Sequence, residues 1–217
     1  MYLKWAEQTI TDFSDSNINS LYNQGYLFTR VGKGVMNQTR SIRIDLKKFK
    51  LTSENRRILK KTEDIGLRTY DLPIEDYDWS IGKMAKDFYE TKFGKGIFSA
   101  NKTKELLTSN QSNFNKFFIY KNKTDIAGYC IALETNKIIH YAYPFYLLSP
   151  ISYLLNPNTG LGMMLKAVIY AKESGKKYIY LGSAQRPTDT YKLQFEGLEW
   201  FDGKGWKTDI DELKKIL

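Results

Sequence analysis

The sequence predicts a mixed α/β fold, a mixed β-sheet flanked by helices. Three observations predict it. In the second half, three strand-like segments are followed by helix, strand, helix and strand, an order that packs helices onto a sheet. Hydrophobic residues make up 42% and charged residues 26% of the 217 residues, which is ordinary globular usage with chain enough for a core. No repeat, low-complexity segment or Pro/Gly/Ser-rich linker divides the chain. The expected organisation is a basic helix-and-strand region over 1–72 and an α/β core over 73–217, joined as one compact unit.

The elements follow from local patterns. Ser16 to Gln24 reads as a short helix stopped by Gly25. Tyr26–Val31 and Ser41–Leu46 alternate as strands do, with Gly32-Lys33-Gly34 turning between them. Thr52 or Ser53 can cap a helix through Asn55–Lys61, and Leu67–Leu72 reads as a strand. Trp79–Phe93 is an amphipathic helix ending near Gly94, and Lys102–Thr108 is a shorter one. Phe117–Tyr120, Ile126–Leu133 and Lys137–Tyr143 are strands, the first two joined by Asn122-Lys123-Thr124-Asp125. Gly160–Ser174 is a helix with Leu161, Met164, Leu165 and Val168 on one face and Gly175 at its stop. Tyr178–Leu181 is a buried strand, residues 187–195 are helical, and Asp209 with Glu212 opens a last capped helix.

Composition excludes several chemistries. One cysteine, Cys130, and one histidine, His140, rule out a disulfide framework and a Cys/His zinc site. No Gly-x-Ser-x-Gly elbow, phosphate-binding Gly-x4-Gly-Lys-Ser/Thr loop or paired-histidine metal motif occurs, so no metal is expected. Cys130 reads as a small buried hydrophobe, and His140 as a hydrogen-bonded core residue. The N-terminus lacks an apolar core and a small-residue cleavage site, so a cytoplasmic protein is expected. Ile138–Leu155 is apolar, but His140, Ser149, Ser152, Pro144 and Pro150 suit a buried strand and connection better than a membrane helix.

Three segments could carry chemistry. Lys plus Arg total 33 against 24 Asp plus Glu, a formal charge of +9. Most of that surplus lies between Arg40 and Lys61, where Arg40, Arg43, Lys47, Lys48, Lys50, Arg56, Arg57, Lys60 and Lys61 face only Asp45 and Glu54. Clustered guanidinium and ammonium groups bind phosphate oxygens and release counterions, and the plainer reading is a solvated charged surface. Asn158-Thr159-Gly160-Leu161-Gly162 at a helix start offers amides and a positive dipole end to a phosphate, or else glycines for close packing. Tyr178-Ile179-Tyr180-Leu181-Gly182, Tyr191-Lys192-Leu193-Gln194-Phe195 and Glu199-Trp200-Phe201 could shape a hydroxyl-lined pocket, or be core.

In order, these segments resemble the aminoacyl-tRNA–protein transferases of the N-degron pathway, the arginyltransferases and related bacterial leucyltransferases. The match begins at Leu21–Phe28 and continues in Arg40–Phe49, similar to an R-x-D-x-x-x-F strand. Thr52–Lys61 looks like an S-x-x-Q-R-R-x-x-x-R/K helix. The most specific stretch is Gly160-Leu161-Gly162, Ala171–Gly175, Tyr178–Gly182 and Tyr191-Lys192-x-x-Phe195. Coverage is about residues 15 to 205. Gly32–Thr39 stands where the family carries a Cys-containing module, so this is a short member without it. Ser183-Ala184-Gln185-Arg186-Pro187 replaces the family's aromatic after Tyr-Leu-Gly, and Tyr143-Pro144 lacks the Asp of its Y-D-P strand exit.

The resemblance implies a GNAT-like fold and transfer of an amino acid from aminoacyl-tRNA to the amine, usually N-terminal, of a protein or peptide. Arg40, Arg43, Arg56, Arg57 and Lys60 would hold tRNA backbone, and Thr159, Gly160, Leu161 and Gly162 the terminal phosphates. Tyr180 and Tyr191 are the catalytic candidates, with Tyr191 as proton donor. Tyr143, Gly182 and Lys192 would line the substrate pocket. No cofactor is implied beyond aminoacyl-tRNA as co-substrate, and no membrane partner. Two alternatives stay open: an acyl-CoA-dependent GNAT N-acyltransferase using acetyl-CoA, from which Pro157 departs by replacing Arg or Gln, and a non-catalytic tRNA- or RNA-binding module.

Overall fold

The computed structural model describes residues 3–123, 125–148 and 158–217. Local capping sets the helix limits. Ser14 accepts from the Asn17 amide at the start of α1 (Asp15–Asn23), and Gly25, at φ +81°, ends it. α2 spans Ser53–Lys61. Asp78 caps α3 (Trp79–Phe93), with Gly94 at its C-terminus, and Ser99 caps α4 (Ala100–Thr108). α5 runs Thr159–Glu173, and Asp209 caps α6 (Ile210–Lys215) through the Asp211 and Glu212 amides.

Eleven strands are assigned among the described residues. β1 (Ala6–Thr9), β2 (Tyr26–Phe28) and β3 (Val35–Gln38) form a small antiparallel sheet in the order β1-β3-β2. The others are β4 (Ser41–Asp45), β5 (Gly66–Asp71), β6 (Lys116–Lys121), β7 (Ile126–Glu134), β8 (Ile138–Tyr146), β9 (Tyr178–Ser183), β10 (Leu198–Phe201) and β11 (Trp206–Lys207). They form the expected mixed sheet, in the order β11-β10-β4-β9-β8-β7-β6-β5. β8 and β9 pair in parallel, connected by α5, while β5–β6, β6–β7, β4–β9, β4–β10 and β10–β11 pair antiparallel. The order strand–strand–strand–helix–strand expected of a GNAT-like domain is thus present as β6–β7–β8–α5–β9.

Contacts divide the chain into two compact units. One holds the residues to Thr52, Leu133–Ala142 and Val168–Leu217; the other holds Ser53–Ala132 and Tyr143–Ala167. In the first, Ile139, Ile179 and Ile44 are fully buried, as are Val168 and Ala171 at the end of α5. In the second, Phe117, Phe118, Ile131, Leu107 and Ala85 make the interior.

Two local expectations change. The Gly32-Lys33-Gly34 turn joins β2 to β3, not to Ser41–Leu46. A Cβ at Gly34 would fall 2.1 Å from the Ile10 carbonyl oxygen, so glycine permits the close approach of β1 to this hairpin. β4 instead lies between β9 and β10, and its Ser-Ile-Arg-Ile residues are buried on both faces, as a central strand requires. Residues 187–194 are helical as expected, but as a 3-10 helix, with the Asp189 carboxylate accepting from the Gln185 and Arg186 amides. Of the apolar stretch 138–155, β8 takes Ile138–Tyr146, while 149–155 lies outside the described residues, as does Pro157. Among the described residues no helix is long and apolar enough to cross a membrane.

Candidate active site

In the first unit, one sheet face is polar inside. Register places His140 beside Tyr180 across the parallel β8–β9 pair, Tyr180 opposite Arg43 on β4, and Arg43 opposite Glu199 on β10. Arg43 Nε and Nη2 each stand 2.8 Å from Glu199 Oε2, and Nη1 donates to Asn23 Oδ1 and to the Tyr180 hydroxyl. The guanidinium lies between the rings of Tyr178 and Trp206, with its carbon 3.9 and 3.8 Å from their centroids. α1 covers this face through Tyr22, whose ring meets Tyr180 edge-on at 5.0 Å.

The Tyr22 hydroxyl is 2.9 Å from His140 Nδ1 and accepts from the Phe28 amide. Burial, reinforced by Lys192, drives the His140 pKa down to about 3, so the ring is neutral. Burial pushes the Tyr180 phenol up to about 12, against the opposing pull of Arg43.

Beyond His140 and Tyr180 the sheet changes register. Arg43 pairs with Tyr180 but Ser41 pairs with Ser183, so β9 carries one more residue than β4 over this span. The bulge contains Gly182 at φ +81°, a conformation open to glycine. The Ser183 carbonyl accepts from Lys192 Nζ at 2.9 Å, and Asp189 Oδ1 is 3.7 Å from the same ammonium. A Cβ at Gly182 would stand 4.0 Å from Lys192 Nζ. Burial lowers the Lys192 pKa and Arg186 lowers it further, while Asp189 opposes both. A buried ammonium beside a bulged backbone can stabilise an oxyanion and release a proton more readily than an exposed lysine.

In the second unit, α5 begins against α2. A Cβ on Gly162 would lie 2.5 Å from Thr62 Oγ1, just past α2, and one on Gly160 would lie 2.7 Å from the Tyr146 ring. Gly162 also donates its amide to the Asn158 carbonyl within the helix start. The glycines therefore serve close packing, which brings the cationic end of α2 to the positive dipole end of α5. Arg56, Arg57, Lys60 and Lys61 are all exposed, and Arg57 makes a forked ion pair with Glu54.

The expected site residues fall into these two places. Arg40, Arg43, Tyr180, Gly182, Tyr191 and Lys192 belong to the first unit; Arg56, Arg57, Lys60, Tyr143, Thr159, Gly160, Leu161 and Gly162 belong to the second. Tyr180 is buried on Arg43, whereas Tyr191 is 46% exposed on the 3-10 helix beside Lys192. Arg40 directs Nη1 to the carbonyls of Ala184 and Ile216 at 3.5 Å. Tyr143 packs its ring against Phe98 and Phe114. The sequence singles out Glu199 only as part of an aromatic segment and gives no sign of Asp189; the alternation around Arg43 carries no mark of a carboxylate partner 156 residues away. Among the described residues, no group of three or more His, Cys, Asp or Glu could hold a metal ion.

No family profile matches the sequence, and no curated protein sequence does. Among solved structures, the chain is similar to the C-terminal domain of a lysylphosphatidylglycerol synthetase from Agrobacterium fabrum, at 12% identity and TM-score 0.47, over 82% of this chain and 55% of that one. It is similar to FemX at 9% identity and TM-score 0.46, over 82% of this chain and 62% of that one. It is also similar to a GCN5-related glucosamine N-acetyltransferase region of a fungal β-N-acetylglucosaminidase, at 10% identity and TM-score 0.46, over 89% of this chain and 22% of that one. The chain thus spans 55% and 62% of the first and second of these structures.

Proposed function

We propose that this chain is an aminoacyltransferase that moves an amino acid from aminoacyl-tRNA to an amine of a protein or peptide. The observation that carries the proposal is the meeting of two motifs singled out in the sequence. Tyr178–Gly182 supplies a bulged strand, and Tyr191-Lys192 sets a buried ammonium on the Ser183 carbonyl of that bulge at 2.9 Å. Aminolysis of an ester needs a charge that stabilises the tetrahedral oxyanion and a proton for the departing ribose oxygen. Lys192 answers both needs in turn: charged, it faces the oxyanion, then gives its proton to the departing ribose oxygen and takes up the proton that the attacking amine releases, which restores it. In this reading Tyr180 and His140 hold the strand end in place rather than reacting, since both are buried and neutral. Arg56, Lys60 and Lys61 on exposed α2 supply the charge for tRNA phosphates, and no dissociable cofactor is needed.

The test offers purified protein a mixture of labelled aminoacyl-tRNAs with peptides beginning in Asp, Glu, Arg or Lys, and acetyl-CoA as a parallel donor. Label passing from tRNA into acid-stable peptide is the expected result. Lys192→Met should lower kcat by about 10²–10³-fold with tRNA affinity unchanged, the usual cost of losing one oxyanion donor. Tyr191→Phe should keep most of the rate. Transfer from acetyl-CoA alone would refute the donor, and full activity in Lys192→Met would refute the site.

A further inference from the structure

The 3-10 helix that carries Lys192 carries a carboxylate on the same side. With three residues per turn, side chains at i and i+3 of such a helix eclipse one another, so Asp189 and Lys192 point the same way. Tyr191, one position earlier than the lysine, is turned towards solvent. Asp189 and Lys192 are nearly buried, with 13% and 12% of their side chains exposed.

Asp189 divides its oxygens between two tasks. Oδ2 accepts from the Gln185 amide at 2.8 Å and the Arg186 amide at 3.0 Å, which fixes the carboxylate to the chain just past the bulge. Oδ1 then stands 3.7 Å from Lys192 Nζ, close enough for charge attraction but too far for a hydrogen bond. The ammonium is held without being captured, and its short bond goes to the Ser183 carbonyl at 2.9 Å. An ammonium has three N–H donors, more than these two contacts use. A lysine side chain is long and rich in rotamers, so a fixed opposite charge is what keeps its end in one place.

Among the described residues, the charges that bear on Lys192 are Asp189 and Arg186, and only Asp189 favours the ammonium. His140, on β8, is neutral and adds no charge. α6 packs on the same 3-10 helix and turns Asp211, Glu212, Lys214 and Lys215 to solvent.

We propose that Asp189 is a positioning residue for Lys192: pinned to the backbone beyond the bulge, its carboxylate holds the ammonium on the Ser183 carbonyl. It acts through Lys192 rather than on substrate. Its effect on rate therefore rests on the transfer reading above, while its hold on the ammonium does not.

The experiment follows lysine Cε and Nζ signals by NMR in the full chain as pH is raised, with Lys192→Met identifying the Lys192 signal by its loss. Asp189→Asn keeps an oxygen acceptor for the two amides and removes the charge, so Lys192 should titrate about 1–3 pH units lower than in wild type. Asp189→Glu restores a carboxylate at the third helical position, where glutamate commonly reaches back, and should return the titration towards the wild-type value. Above both values the charged fraction falls about tenfold per pH unit, so the alkaline limb of transfer should move down by the same interval with tRNA affinity unchanged. An unmoved Lys192 titration in folded Asp189→Asn would overturn the proposal. So would loss of the fold in both Asp189→Asn and Asp189→Ser, because the carboxylate would then be a structural cap. Full activity in Lys192→Met refutes transfer at this site, and the titration still decides what Asp189 does.

Discussion

Replacing Glu199 by Gln tests whether the Arg43 cluster is structural. The substitution keeps the shape and one carbonyl acceptor but removes the charge facing a guanidinium that is 4% exposed. Arg43 would stay sandwiched between Tyr178 and Trp206 without its counterion. Removing one partner of a buried pair costs about 3–5 kcal/mol, because the survivor keeps its desolvation penalty. Lys48, on the other carboxylate oxygen at 3.2 Å, is largely exposed and adds little to that loss. For a chain of this size the change is about 6–20 °C in Tm, and in urea about 1–2 M in the midpoint.

Tryptophan fluorescence during urea unfolding is the assay, since Trp206 stacks on the affected group and Trp200 is in β10. The double variant Arg43→Met with Glu199→Leu should recover most of the loss, as apolar replacements of buried pairs commonly do. It should also leave tRNA affinity and its salt dependence unchanged, because Arg43 faces the interior. A Glu199→Gln loss below about 1 kcal/mol, or a double variant as unstable as the single, would refute the account.

Three further predictions follow from the same geometry. Gly162→Ala forces a Cβ to within 2.5 Å of Thr62 Oγ1 and should destabilise by about 1–3 kcal/mol, read by thermal melting. Below about pH 6.5 the unfolded chain takes up a proton that folded His140 refuses down to about pH 3. Wild-type stability should therefore fall by about 1.4 kcal/mol per pH unit through that window relative to His140→Gln, and parallel pH profiles would refute the neutral ring. Arg56→Ala with Lys60→Ala should weaken tRNA binding and reduce the slope of log K against log salt by about one to two, measured by filter binding; an unchanged slope removes α2 from the interface.

What was legible in the sequence was local. Asp209 caps the helix that its sequence announces, and Gly25 and Gly175 end helices in conformations that favour glycine, whereas the caps Ser14 and Ser99 start α1 and α4 one and two residues ahead of the expected Ser16 and Lys102. β6 to β9 are equally readable, because their runs are largely apolar, whereas the short β10 and β11 carry no bounds in the sequence. Partnership was not. Val35–Gln38 has one fully buried apolar residue, Met36, so the sequence pattern hides β3 and points β2 to β4 as its hairpin partner instead. Arg43 reads as the polar face of an alternating strand, and only the long-range register with Glu199 makes it an interior residue. Lys192 was visible as a motif, but its burial depends on the bulge at Gly182, which exists only once β4 and β9 pair.

The basic segment therefore divides its charge between two tasks. On the strand side, Arg43 is neutralised by Glu199, Lys48 bridges Glu199 and Asp45, and Arg40 is directed to backbone carbonyls. These cations bind β4 to its neighbours, and their contribution to an external polyanion is small because the compensating groups sit with them. On the helix side, Glu54 takes Arg57, and α2 still presents Arg56, Lys60 and Lys61 to solvent beside the dipole end of α5. The count of nine basic residues thus overstates the electrostatic footprint; exposed Lys47 and Lys50 join the α2 cations in setting the salt dependence, and the slope should fall well short of nine phosphates.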